Sequence, residues 1–363
     1  MRIIYMGTPE FAVPPLQQLL LHHDVTAVCT QPDRPAGRGH KMHMSPVKAL
    51  ALSAGVEVLQ PETLRVNKNP VSDTAIQLND NAKKIRDYLA KLDADVFVVA
   101  AYGLILPKAV LDIPRLGCIN IHASLLPKYR GASPIHAAIK NGDTVTGITI
   151  MYMDVGVDTG DMILQRELPI GPEERAPSLH DRMAALGGEC IVEVLAQLEA
   201  GARTPQDDAA SSYAPMIQKS DGLIDWAWPT ARIINLTRAF DPWPGPYTLY
   251  KGEVVKIWRV ENAGIIENTQ TVIARSEATK QSSISTGSGL LRRVAPRNDE
   301  RSSYNHEAAL PGTVISADPA RGLLVRTGDG AARILELQAP GGKRMTARDY
   351  LRGHDMKAGE IMK

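Results

Sequence analysis

The sequence predicts two domains in series, an α/β domain with a mostly parallel, Rossmann-like sheet and then a smaller OB-like β-barrel. Three observations carry this. Over the first two hundred residues short apolar runs alternate with helix-like stretches, the order that a parallel sheet covered by helices requires. From about Ser211 the pattern changes to short strand-like runs separated by turns, with few helix signals. The length, 363 residues, exceeds one typical domain. The division reads as residues 1–200, a linker over 201–210, and residues 211–363.

In the first domain the strand-like runs are 2–6, 25–30, 56–59, 95–101, 117–121, 147–151 and 162–168. Between the third and fourth, Ile85, Tyr88, Leu89 and Leu92 fall on one helical face. A longer helix is expected from Ser178, where Asp181 completes a capping-box pattern, to just before Gly201. Leu179, Met183, Leu186, Cys190 and Val194 make its core stripe. In the second domain, runs at 246–250, 254–260, 312–316, 322–326 and 333–337 give five strands. Trp226, Trp228 and Trp243 are expected in a core or an interface rather than as platforms for bases.

Composition narrows the class. At 44% hydrophobic residues the chain can bury a substantial core, and no run of 18 apolar residues argues for a membrane helix. The opening MRIIYMGTPEFAVPPL reads as a strand entering a helix, not as a signal peptide. Cys29, Cys118 and Cys190 fit neither a disulfide framework nor a metal-binding spacing, which places the protein in a reducing cytoplasm. Residues 200–363 carry 22 Lys plus Arg against 18 Asp plus Glu, a surplus that would help attract RNA. A strand followed by Gly7 and a helix is how dinucleotide-binding folds begin. MGTPEFAVP supplies one glycine where G-x-G-x-x-G is required, which argues against nicotinamide.

The chemistry concentrates in two stretches. In CINIHASLLPKYRGASPIH (118–136) a short apolar strand carries Asn120 and His122 two positions apart, so both project from one face toward the carboxyl end, where open α/β sheets bind ligands. The structural alternative is a buried His and Asn bonded to nearby backbone. Some thirty positions on, MYMDVGVDTGDMILQ (151–165) sets Asp154, Asp158 and Asp161 in a Gly-rich turn between two strands. A carboxylate there could orient His122 and stabilise its charged form, and spacing does not choose among the three.

Asn-x-His-x-Ser-Leu-Leu-Pro with a downstream Asp-x-Gly-x-Asp-Thr-Gly resembles the formyltetrahydrofolate-dependent formyltransferases, and the likeness runs from MGTPEF through QKSDGLIDW and DPWPGPY toward the end of the chain. The resemblance implies Asn120, His122 and Asp158 as the catalytic trio, Asp154 as a loop-building residue, and Ser124, Leu125, Leu126 and Pro127 as a folate-contacting turn. Within the family it points to the branch that formylates the α-amine of initiator methionyl-tRNA with 10-formyltetrahydrofolate, without a metal, as a monomer. The Gly- and Pro-rich loop 31–48, QPDRPAGRGHKMHMSPVK, is flexible and positive in composition. It resembles that branch's tRNA-engaging loop, with Arg38 at the key position and Arg34 and Lys41 beside it.

The chemistry implied asks for two hydrogen bonds to a developing oxyanion, one from Asn120 and one from a His122 charged by Asp158. An α-amine titrates near pH 7.7–8, so proton removal needs only water or His122. Two stretches depart from the family pattern. Residues 66–83 look like a surface extension, and residues 267–306, rich in Ser, Thr and Arg, resemble translated mobile-repeat sequence. The latter is expected to be disordered, with an RNA contact through Arg292, Arg293 and Arg297 the weaker reading. Two other functions compete. A formyltransferase for an amino sugar or purine precursor would not need the basic loop and barrel, and a non-catalytic RNA-binding protein would leave the polar trio unexplained.

Overall fold

The computed structural model describes residues 1–36, 41–67, 72–199, 201, 203–264 and 309–363, in two compact units, Met1–Ile217 and Gln218–Lys363. In chain order the first unit runs β1 (Arg2–Gly7), α1 (Val13–His22), β2 (Asp24–Cys29), β3 (Arg34–Ala36), β4 (Lys41–His43), α2 (Pro46–Ser53), β5 (Glu57–Leu59), α3 (Asp73–Lys91), β6 (Val96–Ala100) and α4 (Lys108–Leu111). It continues through β7 (Cys118–His122), β8 (Arg130–Gly131), α5 (Pro134–Asn141), β9 (Val145–Tyr152), β10 (Met162–Pro169), α6 (Ala176–Gln197) and β11 (Tyr213–Ala214).

Seven of these strands form one sheet in the order β10-β9-β7-β6-β1-β2-β5. The five from β7 to β5 are parallel, whereas β9 runs against β7 and β10 against β9. The inner strands are apolar along their length because both faces are covered: every residue of β6, VFVVA, is buried. On one face α6 packs so closely that a Cβ at Gly187 would sit 2.8 Å from Ile121 Cγ2, so only glycine fits there. From β1 the chain moves outward to β2 and later returns to β6 on the other side. The order therefore reverses between β1 and β6, where α/β sheets open a crevice beyond their carboxyl ends.

Four local readings change. Helix α6 starts at Ala176 with Arg175 at the N-cap, so Ser178 lies inside the first turn, where its hydroxyl bonds Glu174 instead of capping. Residues 73–83, read as part of an extension, are the first half of α3, capped by the Ser72 hydroxyl on the Ala75 N–H. That half is polar and buries only Asn79 and Ala82, which hid it from an apolar-periodicity reading. Residues 203–210, read as linker, lie in the first unit: Thr204 bridges Met162, and β11 pairs with β8. Residues 211–217, assigned to the second domain, belong to the first unit as well.

The second unit holds α7 (Thr230–Ala239), β12 (Tyr247–Tyr250), β13 (Glu253–Asn262), β14 (Val314–Asp318), β15 (Gly322–Arg326), β16 (Ala331–Gln338), β17 (Met345–Thr346) and α8 (Ala347–Gly353). Its antiparallel sheet runs β12-β13-β16-β15-β14, with β17 beside β16. The last residues bridge both edges, Met362 to Tyr250 of β12 and Ile361 to Thr313 ahead of β14, which curls the sheet into a small barrel. Trp226 is buried and donates to the Thr248 hydroxyl at 2.9 Å, as its core reading requires. Trp243, expected to be covered, is half exposed. The 267–306 stretch lies outside the described residues.

Candidate active site

A cleft of about 480 Å³ opens beyond the carboxyl ends of β1, β6 and β7, at the point where the strand order reverses. Pro9 and Phe11 line it after β1, Tyr102, Gly103 and Leu104 after β6, and Asn120, His122 and Ala123 at the end of β7. Asn120 and His122 are both nearly buried, at 9% and 5% exposure, and share one face of the strand as their spacing requires. No hydrogen bond engages the Asn120 carboxamide among the described residues, so its N–H groups remain as donors beside the cleft.

His122 is held on two sides. Its Nε2 lies 2.9 Å from the Tyr129 carbonyl, an acceptor, so that nitrogen carries a proton and donates. Nδ1 lies 3.6 Å from Asp158 Oδ2, an ion-pair distance longer than a hydrogen bond. The Asp158 oxygen accepts from the Gly131 N–H at 2.8 Å, and Asp158 itself sits in the left-handed region at φ 54°, which non-glycine residues rarely adopt. With Nε2 engaged by the Tyr129 carbonyl, Nδ1 is the ring nitrogen that faces the Asp158 carboxylate.

The same loop separates the acidic candidates. Asp154, exposed, folds back on its own loop, its carboxylate accepting from the Gly156 N–H at 2.9 Å and the Thr159 hydroxyl at 2.7 Å. Asp158 is the one whose carboxylate approaches His122.

The turn after β7 does not line the cleft with these residues. Ser124 is fully buried and donates to the Lys128 carbonyl at 2.6 Å. The Leu126 N–H bonds the Thr149 hydroxyl, and its carbonyl accepts from Gln165 at 2.7 Å. Pro127 follows a cis peptide bond, and its carbonyl accepts from the Ser212 N–H at 3.3 Å. Leu125 lines a separate surface hollow with Tyr129 and Thr146. The turn is braced against β9 and β10, and it fixes where β7 ends.

The basic loop is a hairpin, β3 paired antiparallel with β4, so Arg34 stands opposite His43 and Ala36 opposite Lys41. Arg34 is exposed, and Arg38 lies outside the described residues. Lys48, counted among the loop's charges, is committed: it bonds Asp33 at 2.6 Å and Gln60 at 2.7 Å. Lys48 and Gln60 together hold the Asp33 carboxyl below its ordinary range. Gln31, at the hairpin's root, donates to the Tyr102 carbonyl in the cleft wall at 3.1 Å.

Residues 1–195 match the formyl transferase family, and residues 216–355 match the formyl transferase C-terminal domain. The chain belongs to the formyl transferase family. Among its relatives, the methionyl-tRNA formyltransferase of Caldanaerobacter subterraneus subsp. tengcongensis is 43% identical over 100% of both chains. That of Geobacter metallireducens is 42% identical over 98% of this chain and 97% of its own. HypX from Aquifex aeolicus, in a crystal structure with tetrahydrofolic acid, shares the fold at a TM-score of 0.52 and 16% identity. It covers 100% of this chain, which spans 50% of HypX.

Three features of this formyl transferase's site escape a reading of its sequence. Tyr129 and Gly131 act through backbone atoms, which side-chain chemistry does not signal, although a glycine at φ 108° marks the turn. Gln206, in the supposed linker, bonds the Asp158 loop and carried no signal at all.

Proposed function

We propose that this formyl transferase moves the formyl group of 10-formyltetrahydrofolate to the α-amine of initiator methionyl-tRNA, with Asn120, His122 and Asp158 as its catalytic residues. The observation that carries the reading is the meeting, at one cleft, of an uncommitted carboxamide donor, an imidazole with one nitrogen left for proton exchange, and a carboxylate beside that nitrogen. The cleft's size and its lining by Val99, Leu104, Ile135 and Met153 suit a flat folate ring system. HypX, of the same fold, binds tetrahydrofolic acid, and the full-length relatives are methionyl-tRNA formyltransferases.

The amine nitrogen attacks the formyl carbon, and Asn120 donates to the oxygen as negative charge grows there. His122 Nδ1 takes the proton the amine loses, and Asp158 stabilises the imidazolium. As the bond from the formyl carbon to N10 of the folate breaks, the proton passes on to N10. The turn Ser124–Leu125–Leu126–Pro127 serves folate by fixing the end of β7. Arg34, Arg38 and Lys41 of the hairpin contact tRNA phosphates, and the barrel unit adds a second tRNA surface. The enzyme works in the cytoplasm as a monomer.

The test supplies purified enzyme with 10-formyltetrahydrofolate and either charged initiator tRNA or a free amino sugar. Formylation of methionyl-tRNA with the amino sugar untouched is the expected result, and the reverse preference would overturn the reading.

A further inference from the structure

We infer that Gln206 is a positioning residue for formyl transfer, holding the Asp158 loop in the backbone conformation that aims its carboxylate at His122. The inference rests on the catalytic reading of Asp158. The Gln206 amide is fully engaged at this loop. Its Nε2 donates to the Asp158 carbonyl at 2.9 Å and to the Gly160 carbonyl at 2.7 Å, while its Oε1 accepts from Arg130 Nε at 3.0 Å. Carbonyls only accept and a guanidinium only donates, so the partners fix which way the amide points.

Its anchor is firm. Arg130 is nearly buried, reaches Asp208 Oδ1 at 2.7 Å, and lies on β8, which pairs with β11. The neighbours of Arg130 hold the catalytic groups themselves: Tyr129 accepts from His122 and Gly131 donates to Asp158. Gln206 thus ties the Asp158 loop to the segment 129–131 that orients both.

The tie matters because Asp158 occupies a left-handed conformation at φ 54°, which an aspartate holds only where its surroundings impose it. Asp154 organises the first half of the loop through Gly156 and Thr159. The two carbonyls gripped by Gln206 lie in the second half, at Asp158 and two residues on. With that grip removed, Asp158 is free to relax toward negative φ, which swings its carboxylate off His122 while both substrate surfaces stay in place.

The experiment uses the full-length enzyme carrying Gln206→Ala, and separately Gln206→Glu, which keeps the acceptor for Arg130 but loses both N–H donors. Each is measured alone and combined with Asp158→Asn, with thermal unfolding as a check on folding. Alone, each should lower kcat about tenfold, with KM for folate and for tRNA within about twofold of the parent. In the Asp158→Asn background the same change should cost less than about twofold, because the group it positions is already disabled. Equal losses in both backgrounds, or a raised KM at unchanged kcat, would overturn the inference. Near-normal turnover of Asp158→Asn alone would instead remove the catalytic reading on which it rests.

Discussion

Asp158 and Asp154 stand four residues apart in one loop, and the structure gives them different tasks. Asp158 presents its carboxylate to His122 Nδ1, while Asp154 closes the turn on its own backbone. On the proposed mechanism, Asp158→Asn keeps the shape and removes the carboxylate charge beside His122, so kcat should fall by roughly a hundred- to ten-thousandfold. Asp154→Asn retains a carbonyl oxygen for the Gly156 N–H and should cost far less. Steady-state kinetics on the two purified variants checks the pair, and a larger loss at Asp154 would reverse the assignment. The difference in legibility has a physical origin. Placing Asn120 and His122 together needs only the two-residue period of a strand. Choosing among Asp154, Asp158 and Asp161 needs the path of an irregular loop, set by the Gly131 N–H and by a positive φ that spacing along the chain does not encode.

At the scale of elements, strands buried on both faces were readable because their apolar runs have no other use; β6 and β7 lie within a residue or two of where the pattern puts them. Elements of mixed polarity were not: the first half of α3 exposes most of its length, and the β3–β4 hairpin reads as plain loop. That hairpin is rooted through Lys48, Asp33 and Gln60, none of which lines the cleft, and among the described residues it meets the cleft wall through the Gln31 bond to the Tyr102 carbonyl. Arg38→Ala should therefore weaken use of methionyl-tRNA with little change in folate affinity measured by equilibrium binding. Kinetics that do not change at any salt concentration would count against the hairpin as an RNA contact. In the second unit the closing C-terminal segment is pinned by Glu360, which meets the Lys251 ammonium at 2.8 Å and the Tyr250 hydroxyl. Lys251 first, then Tyr250, hold its carboxyl down at about 2. A carboxyl depressed in the folded state adds stability that is fully present above its ordinary value near 4.5 and is lost as pH falls from there toward about 2. Glu360→Gln should thus lower the melting temperature by about 2–4 °C at pH 7, and the deficit should begin to shrink below about pH 4.5 and approach zero as pH falls through about 2. A deficit that does not change with pH would assign Glu360 a role independent of its charge.

At the scale of the whole molecule, the chain carries 267–306 between two strands that do not pair with each other. β13 binds β12 and β16, β14 binds β15, and the order across the barrel is β13-β16-β15-β14. Asn262, Ala332, Val325 and Val314 stand in register across these four strands, so a connection from β13 to β14 crosses three inter-strand steps, about 14 Å. With 267–306 removed, residues 263–266 and 307–313 remain and at roughly 3.3 Å each reach well beyond that distance, so a short Gly/Ser turn joins them without strain. The excised stretch carries six Lys plus Arg against four acids and few large apolar side chains. A segment of this composition offers little apolar surface to a core, and shortening a loop lowers its closure-entropy cost slightly. Excision should therefore leave the barrel folded and formylation of methionyl-tRNA close to that of the parent, and in the intact chain limited proteolysis should cut this stretch before either unit. Circular dichroism and the formylation assay on the shortened protein check it. An insoluble product would make the stretch part of the barrel's structure, and a soluble enzyme that has lost tRNA binding would restore Arg292, Arg293 and Arg297 as an RNA contact.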